Sequence, residues 1–472
     1  MLGWEFPPHI SGGLGTACYG MTKGLDEIGV DVCFVLPTAV PAGTPSHVKL
    51  CGPANMPSSA ANAPSNDAPT KPTQIATERI VSREFEHVEL RRVEAVLQAY
   101  GNPSITYDEA VRKVLAEQQA ITGFSQVQQG QEAAKTAEAA GPMDVGVDAT
   151  SNPSRGLFVA GGGAHYKGDL MGQVYRYARL AVEVAKTEPF DVIHAHDWMT
   201  YPAGAAVAAA TGKPLVCHVH STEFDRSGTN VNQQVYDIER MGMHCATRVV
   251  CVSHLTRTIC TSRYGVPEDK CTVVYNAVDL PESSGRLKMD PIKQTEKLVL
   301  FLGRVTMQKG PEYFLRAAKK VTEKFTNVRF VMAGSGDMIT QCIREVADLK
   351  LGRYVTFTGF LRGKDVDKIY AMADLYVMPS VSEPFGIAPL EALSHNVPVI
   401  ISKQSGVSEV LTHVLKVDFW DVEEMANKIL AVLRHAPLQR TLRQHGSIEL
   451  RKFSWRDAAV KLGEIYESLA RK

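Results

Sequence analysis

The sequence has no surplus of charge of either sign. Its 51 Lys and Arg side chains are matched by 51 Asp and Glu, which argues against a nucleic-acid partner held by bulk electrostatics, since that mode needs a basic excess. Local basic patches remain compatible with this balance. No apolar run approaches the ~18 uncharged residues of a membrane span. The start, Met1-Leu2-Gly3-Trp4-Glu5, lacks the basic and apolar regions of a secretory signal. No CxxC pair occurs among the cysteines, which stand at 18, 33, 51, 217, 245, 251, 260, 271 and 342. An odd number of thiols, some in apolar runs such as Val32-Cys33-Phe34-Val35, fits a reduced cytoplasmic protein rather than a disulfide scaffold. The spacing of Cys245, Cys251, Cys260 and Cys271 matches no zinc pattern. What the chain does have is 472 residues, 44% of them apolar, enough for two or three domains with sizeable cores.

Texture divides the chain. Residues 1–50 read as ordered α/β sequence. Residues 52–155 do not: Pro53–Pro72 holds five prolines and five alanines, and Ala116–Ala140 holds six glutamines and seven alanines. Such composition buries little. Its middle, Glu78–Tyr100, carries Val88, Val93, Val96 and Leu97 and is read as a packed strand or helix. The stretch is read as an insertion within a domain. Beyond it, short apolar strands alternate with amphipathic helices: a helix over Asp169–Lys186, and strands at Leu157–Ala160, Asp191–His194, Pro214–His218, Val249–Ser253 and Thr272–Tyr275. Pro281–Arg286 reads as a linker. The pattern then restarts with strands at Lys297–Leu302, Arg329–Ala333, Val355–Thr358, Leu375–Met378 and Val397–Ile401. Two such runs predict two Rossmann-like, doubly wound α/β domains, with ligands bound at the carboxyl ends of the strands in the cleft they face.

Four stretches could carry chemistry. Ser11-Gly12-Gly13-Leu14-Gly15 precedes an expected helix, Thr16–Ile28, and its glycines let backbone amides approach an anion. Cys18 stands where a dinucleotide fingerprint wants glycine or alanine, and Pro37 follows the next strand where an acid is wanted, so NAD binding is poorly supported; a tight turn without ligand is the plain alternative. His194-Ala195-His196-Asp197-Trp198 closes a strand, and His218 and His220 close another. A metal site and simple one-sided burial both account for such HxH pairs. Arg304 and Lys309 lie five residues apart between a strand and a helix, as suits a pyrophosphate, although two solvated loop cations read equally well. Glu383-Pro384-Phe385-Gly386-Ile387-Ala388-Pro389-Leu390-Glu391 places two carboxylates around a helix start, suited to sugar hydroxyls and phosphate oxygens or simply to the helix dipole.

Together Gly3–Gly15, Tyr166–Tyr175, His194–Trp198, His220–Asp225, Gly303–Gly310, Gly334–Gly336 and Glu383–Leu393 resemble the retaining, nucleotide-sugar-dependent glycosyltransferases of GT-B fold, families 4 and 5 in style, with glycogen and starch synthases the nearest flavour. The resemblance covers nearly the whole chain outside 52–155. It implies an N-terminal acceptor-side domain over 1–285, a nucleotide-sugar domain over 286–452 and a last helix within 453–472 crossing back to the first. It implies that Gly12 and Gly13 approach the donor diphosphate, and that Asp169 and His196 contact the transferred sugar. Arg304 and Lys309 match the diphosphate clamp, Glu383 the acid beside the sugar and Glu391 the ribose contact. Gly334, in the matching Gly334–Gly336 turn, is expected to contact the substrate, and Gly386, Ile387 and Ala388 match backbone donors. The expected reaction moves glucose from UDP- or ADP-glucose to an α-glucan or other sugar acceptor, without metal or other cofactor. Rival readings are another GT-B enzyme, such as a nucleotide-sugar epimerase or a transferase with a different acceptor, and a non-catalytic nucleotide-sugar sensor. Ile10-Ser11 depart from the Lys-Thr of bacterial ADP-glucose enzymes, Phe385 stands where some glycogen synthases have cysteine, and the first strand begins very close to Met1, as a shortened N-terminus would.

Overall fold

A computed structural model describes residues 1–7, 12–37, 49–51, 88–92, 170–279 and 296–471. The expected strand Leu157–Ala160, the linker Pro281–Arg286 and the candidate ligand Asp169 lie outside these residues. Among the described residues all paired strands are parallel, and they form two sheets, with helices between most of the successive strands.

In the first half, α1 (Gly13–Glu27) leads to β1 (Val32–Leu36), which pairs with β3 (Val88–Arg92), and β3 pairs in turn with β2 (Lys49–Cys51). Part of the expected insertion is therefore a strand of the sheet: Val88–Arg92, within the stretch read as a packed strand or helix, pairs on both edges. After α2 (Leu170–Ala185) come β4 (Ile193–His196), α3 (Tyr201–Thr211), β5 (Leu215–Val219), α4 (Glu223–Ser227), α5 (Gln233–Cys245), β6 (Arg248–Cys251), α6 (His254–Tyr264) and β7 (Cys271–Val273). These strands run β4-β5-β6-β7. Leu2 bridges both Val35 and Ala195, so residues 1–3 stitch β1 to β4. The Leu2 amide donates to the His194 carbonyl at 2.8 Å, and the His196 amide to the Leu2 carbonyl at 3.0 Å. Strand order thus reverses at the N-terminal segment.

The second half contains β8 (Lys297–Leu302), α7 (Pro311–Thr322), β9 (Val328–Ala333), α8 (Ile339–Asp348), β10 (Val355–Gly359), α9 (Lys364–Met372), β11 (Leu375–Met378), α10 (Ile387–Ser394), β12 (Val399–Ser402) and β13 (Leu415–Val417). The order is β10-β9-β8-β11-β12-β13. This is the doubly wound arrangement, with its switch point between β8 and β11. Helices α11 (Val422–Arg434), α12 (Ala436–Glu449) and α13 (Trp455–Ala470) complete the chain.

Some expected boundaries move for local reasons. The strand read as Val249–Ser253 stops at Cys251, because Ser253 is the N-cap of α6 and accepts from the Thr256 amide. The strand read from Val397 begins at Val399, because Asn396 turns left-handed at φ 65° and the Val397 amide closes back on Ala392. The first helix begins at Gly13 rather than Thr16, so the glycines form its opening turn.

Helix α13 returns to the first half. Gly20 and Gly24, four apart on α1, leave a groove that Trp455 fills: a Cβ on Gly20 would fall 2.1 Å from the indole, and one on Gly24 2.4 Å from the Trp455 carbonyl. Trp455, Ala459 and Leu462 share a core with Cys18, Met21 and Leu25 of α1 and with Leu393 and Val407 of the second half. One apolar mass therefore joins both sheets and the last helix, which holds the two strand-end faces toward each other.

Candidate active site between the two sheets

At the switch point of the second sheet, the turn after β8 must bend sharply. Gly303 (φ 155°) and Gly334 (φ 146°) supply conformations that side chains rarely adopt, and a Cβ on Gly334 would sit 1.8 Å from the Gly303 carbonyl. The structure thus gives Gly334, read from sequence as a ligand contact, a steric duty: it lets two strand-end turns touch. Beyond that turn, Gln308 is buried and ties the loops together. Its carbonyl accepts from the Val381 amide at 2.9 Å, and its side-chain oxygen accepts from the Arg304 guanidinium at 3.2 Å.

Lys309 and Glu383 meet here. Lys309 Nζ lies 2.5 Å from Glu383 Oε2, and Ser380 Oγ donates to the same oxygen at 3.1 Å. Glu383 is 6% exposed, and its backbone is held by the Gln404 carbonyl at 2.9 Å. Gly386, at φ 105°, caps α10. Ile387 and Ala388 open that helix, so their amides are among those a helix leaves without an internal acceptor. Glu391 lies one turn further on and accepts from Tyr370 at 3.1 Å; burial raises its pKa. It stands on the Tyr370 side of α10, whereas Glu383 stands on the Lys309 side.

The first sheet brings up a different set. His194 and His196 of β4 and His218 of β5 project from the same face, because alternate strand residues do and because His196 is in register with His218. With His220 they form a stack of four imidazoles, 4.4 Å between His194 and His196 and 4.2 Å between His218 and His220. His194 bonds Tyr466 of α13 at 2.5 Å and His218 at 3.1 Å, while His196 bonds His220 at 3.0 Å. Burial keeps all four neutral: the first three titrate well below the usual range and His220 is pushed down to about 3. His194, His196 and His218 cluster closely enough to share a cation, as do Cys18, His196 and His220. His196 itself is wholly buried with Nε2 unpartnered. Asp197 follows at φ 60°, accepts from the His220 amide at 2.7 Å, and is pushed up to about 7 by burial.

Gly12 and Gly13 begin α1 on the same strand-end side. Nothing lies near a Cβ at Gly13, but one at Gly12 would fall 2.7 Å from Glu5 Oε2. Sequence reading passed over Glu5, as it did Gln308 and Ser380. The available signal was its place at the carboxyl end of the first strand, just before the glycine turn. Contacts across the halves are direct: Ser382 Oγ donates to Asp225 at 2.5 Å, Ser253 Oγ to the Pro384 carbonyl at 2.5 Å, and Glu409 accepts from the amides of His254 and Leu255.

Two solved structures share this architecture. One is Anabaena HepE in complex with UDP and glucose, with TM-score 0.54 and 21% identity, covering 64% of this chain and 83% of that one. The other is sucrose-phosphate synthase from Thermosynechococcus elongatus, with TM-score 0.57 and 21% identity, covering 66% and 82%. The fold is GT-B. Each half of this GT-B chain also matches a sequence family, residues 154–282 the Glycosyltransferase Family 4 and residues 288–447 the Glycosyl transferases group 1. Among curated proteins, an uncharacterized glycosyltransferase of Methanocaldococcus jannaschii is 36% identical over 48% of this chain and 61% of its own length. The UDP-Gal:alpha-D-GlcNAc-diphosphoundecaprenol alpha-1,3-galactosyltransferase of Escherichia coli is 29% identical over 48% and 60%. The chain thus spans about three fifths of the length of these two relatives. Glycogen synthase of Mycobacterium tuberculosis is 25% identical over 58% of this chain and 68% of its own. Among the described residues, no helix of this GT-B chain is long and apolar enough to cross a membrane.

Proposed function

We propose that this protein is a retaining hexosyltransferase that takes a sugar from a nucleotide sugar in the cleft between its two sheets. The observation that carries the reading is the meeting of Lys309 with Glu383 at the β8–β11 switch point, beside Arg304 and the start of α10. Breaking a sugar–diphosphate bond develops negative charge on the leaving phosphate and positive character on the sugar. Arg304, Lys309 and the amides of Gly386, Ile387 and Ala388 are suited to the first, as donors fixed in place before the charge develops. Glu383, held by Lys309 and Ser380, is suited to the second. The leaving phosphate would deprotonate the acceptor on the face from which it departs. A hydrolase would instead want two carboxylates facing each other ~5–9.5 Å apart, and Glu383 has a lysine opposite it.

On this reading residues 1–285 present the acceptor, residues 286–452 hold the donor, and His196 supplies a neutral polar contact to the sugar. The donor is UDP- or ADP-glucose and the acceptor an α-glucan. The match to a glycogen synthase supports the glucan, while a relative named as a galactosyltransferase and a neighbour solved with UDP and glucose keep the hexose and acceptor open to assay. Turnover of UDP-glucose and of ADP-glucose, each with and without glycogen, decides the matter by nucleotide release and glucan elongation. Release without elongation would replace the glucan by another acceptor. No release from either donor, with a folded protein that binds both, would sink the transferase reading.

A further inference from the structure

Glu5 follows the segment at which the first sheet's strand order reverses. It is 6% exposed, and its Oε2 completes no hydrogen bond. Around it are the groups an anion would seek. The Gly12 and Gly15 amides at the start of α1 and the Arg304 guanidinium from the other half all favour its charged form, although burial outweighs them and raises its pKa. Its oxygen also explains Gly12. Any side chain there would begin 2.7 Å from Oε2, so the glycine makes room for this carboxylate as well as for a ligand. No acidic side chain stands in the first turn of α1 itself; the anion at this helix start comes from eight residues upstream. An unpaired carboxylate oxygen inside the protein is costly, which is reason to look for its use.

We propose that Glu5 occupies the anion seat made by the start of α1 and Arg304, so that a diphosphate entering the cleft competes with this carboxylate for the same donors. The inference rests on the nucleotide-sugar reading only for the identity of the ligand; the seat itself is defined by Glu5, the α1 amides and Arg304. A diphosphate and an ionised Glu5 repel at short range in a medium of low dielectric. A neutral Glu5 offers an O–H to a phosphate oxygen. Glutamine reproduces that neutral form in shape and in having a donor. Removal of the charge therefore strengthens binding, whereas a residue that merely positions Arg304 would weaken it when lost.

The test uses inorganic pyrophosphate, which probes the seat without a nucleotide, and UDP-glucose, both titrated by calorimetry against the full chain. Glu5→Gln should bind pyrophosphate ~10-fold or more tightly than wild type and UDP-glucose more tightly in the same sense. Glu5→Asp keeps the charge but withdraws it by one methylene and should give a smaller gain, which also serves if the glutamine variant folds poorly. Unchanged or weaker pyrophosphate binding in both variants, or no binding in any of the proteins, overturns the proposal. Tighter pyrophosphate binding in a protein that turns over no nucleotide sugar upholds the seat and fails only the transferase reading. Normal turnover with indifferent pyrophosphate affinity does the reverse.

Discussion

Lys309 Nζ lies 2.5 Å from Glu383 Oε2 although the two residues are 74 positions apart and follow different strands. The pair sits at the single place in the second sheet where neighbouring crossovers leave in opposite directions. Sequence resemblance gives Lys309 to the phosphate and Glu383 to the sugar as separate duties. The contact couples them, because each charge is compensated by the other.

The coupling can be measured. Lys309→Ala and Arg304→Ala should each lower kcat by ~10²–10³, with KM raised less, since the phosphate charge they meet grows in the transition state. Glu383→Gln should impair turnover while leaving UDP or ADP affinity nearly unchanged. In the double variant Lys309→Ala/Glu383→Gln the losses should fall short of the product of the single ones, by a coupling of about 0.5–3 kcal/mol. Fully multiplicative losses would show that the pair does not act as a unit, and near-normal turnover in all variants would misplace the site.

Gly334 supplies a structural prediction. Alanine at φ 146° with its Cβ 1.8 Å from the Gly303 carbonyl must move one of the two strand-end turns. Gly334→Ala should cost at least about 2 kcal/mol in denaturant unfolding, with Arg304-dependent nucleotide binding lost along with it. An unaltered stability would mean that the turns separate easily.

Trp455 is the latch of the last helix. Trp455→Ala, which empties the groove of Gly20 and Gly24, should destabilise by about 3–5 kcal/mol. Protease digestion should then release α13 before the rest of the chain. Gly24→Val should mimic it from the other side, because the added atoms meet the Trp455 backbone, which has no rotamer to change.

The imidazole stack predicts a pH effect of definite sign. His220 is pushed down to about 3 in the fold by burial and returns to about 6.5 when unfolded. As pH falls below that unfolded value, the unfolded chain takes a proton that the folded one refuses, so stability falls. His220→Leu removes this one proton. Relative to its own value near neutral pH, the variant should lose about 1.4 kcal/mol per pH unit less than wild type below about pH 6.5. Buried Asp197 and Glu239, each pushed up to about 7, act in the opposite direction in both proteins and cancel in the comparison. Parallel curves for the two proteins would refute it.

The alternation of apolar strands with amphipathic helices determined the two doubly wound halves, and strands such as Lys297–Leu302 and Leu375–Met378 begin and end where the residues alone place them. Such elements are legible because their burial repeats with a fixed local period. Glycine turns and the clustering of Arg304, Lys309 and Glu383 near strand ends were legible for the same reason, since strand ends in this architecture face the cleft. The place of Val88–Arg92 was not: the residues there read as a packed strand or helix, but the pairing with β1 and β2 on either side is carried by no local pattern. Nor was the Lys309–Glu383 contact, the four-imidazole stack on Tyr466, or Glu5 at the start of α1. Each joins residues distant in sequence, and the partner that fixes its protonation and orientation enters only when the sheets twist, reverse order and are clasped by the last helix. Sequence determined which groups the chain brings to its strand ends; tertiary structure decided which of them share a charge, because electrostatic coupling depends on distance and burial rather than on spacing along the chain.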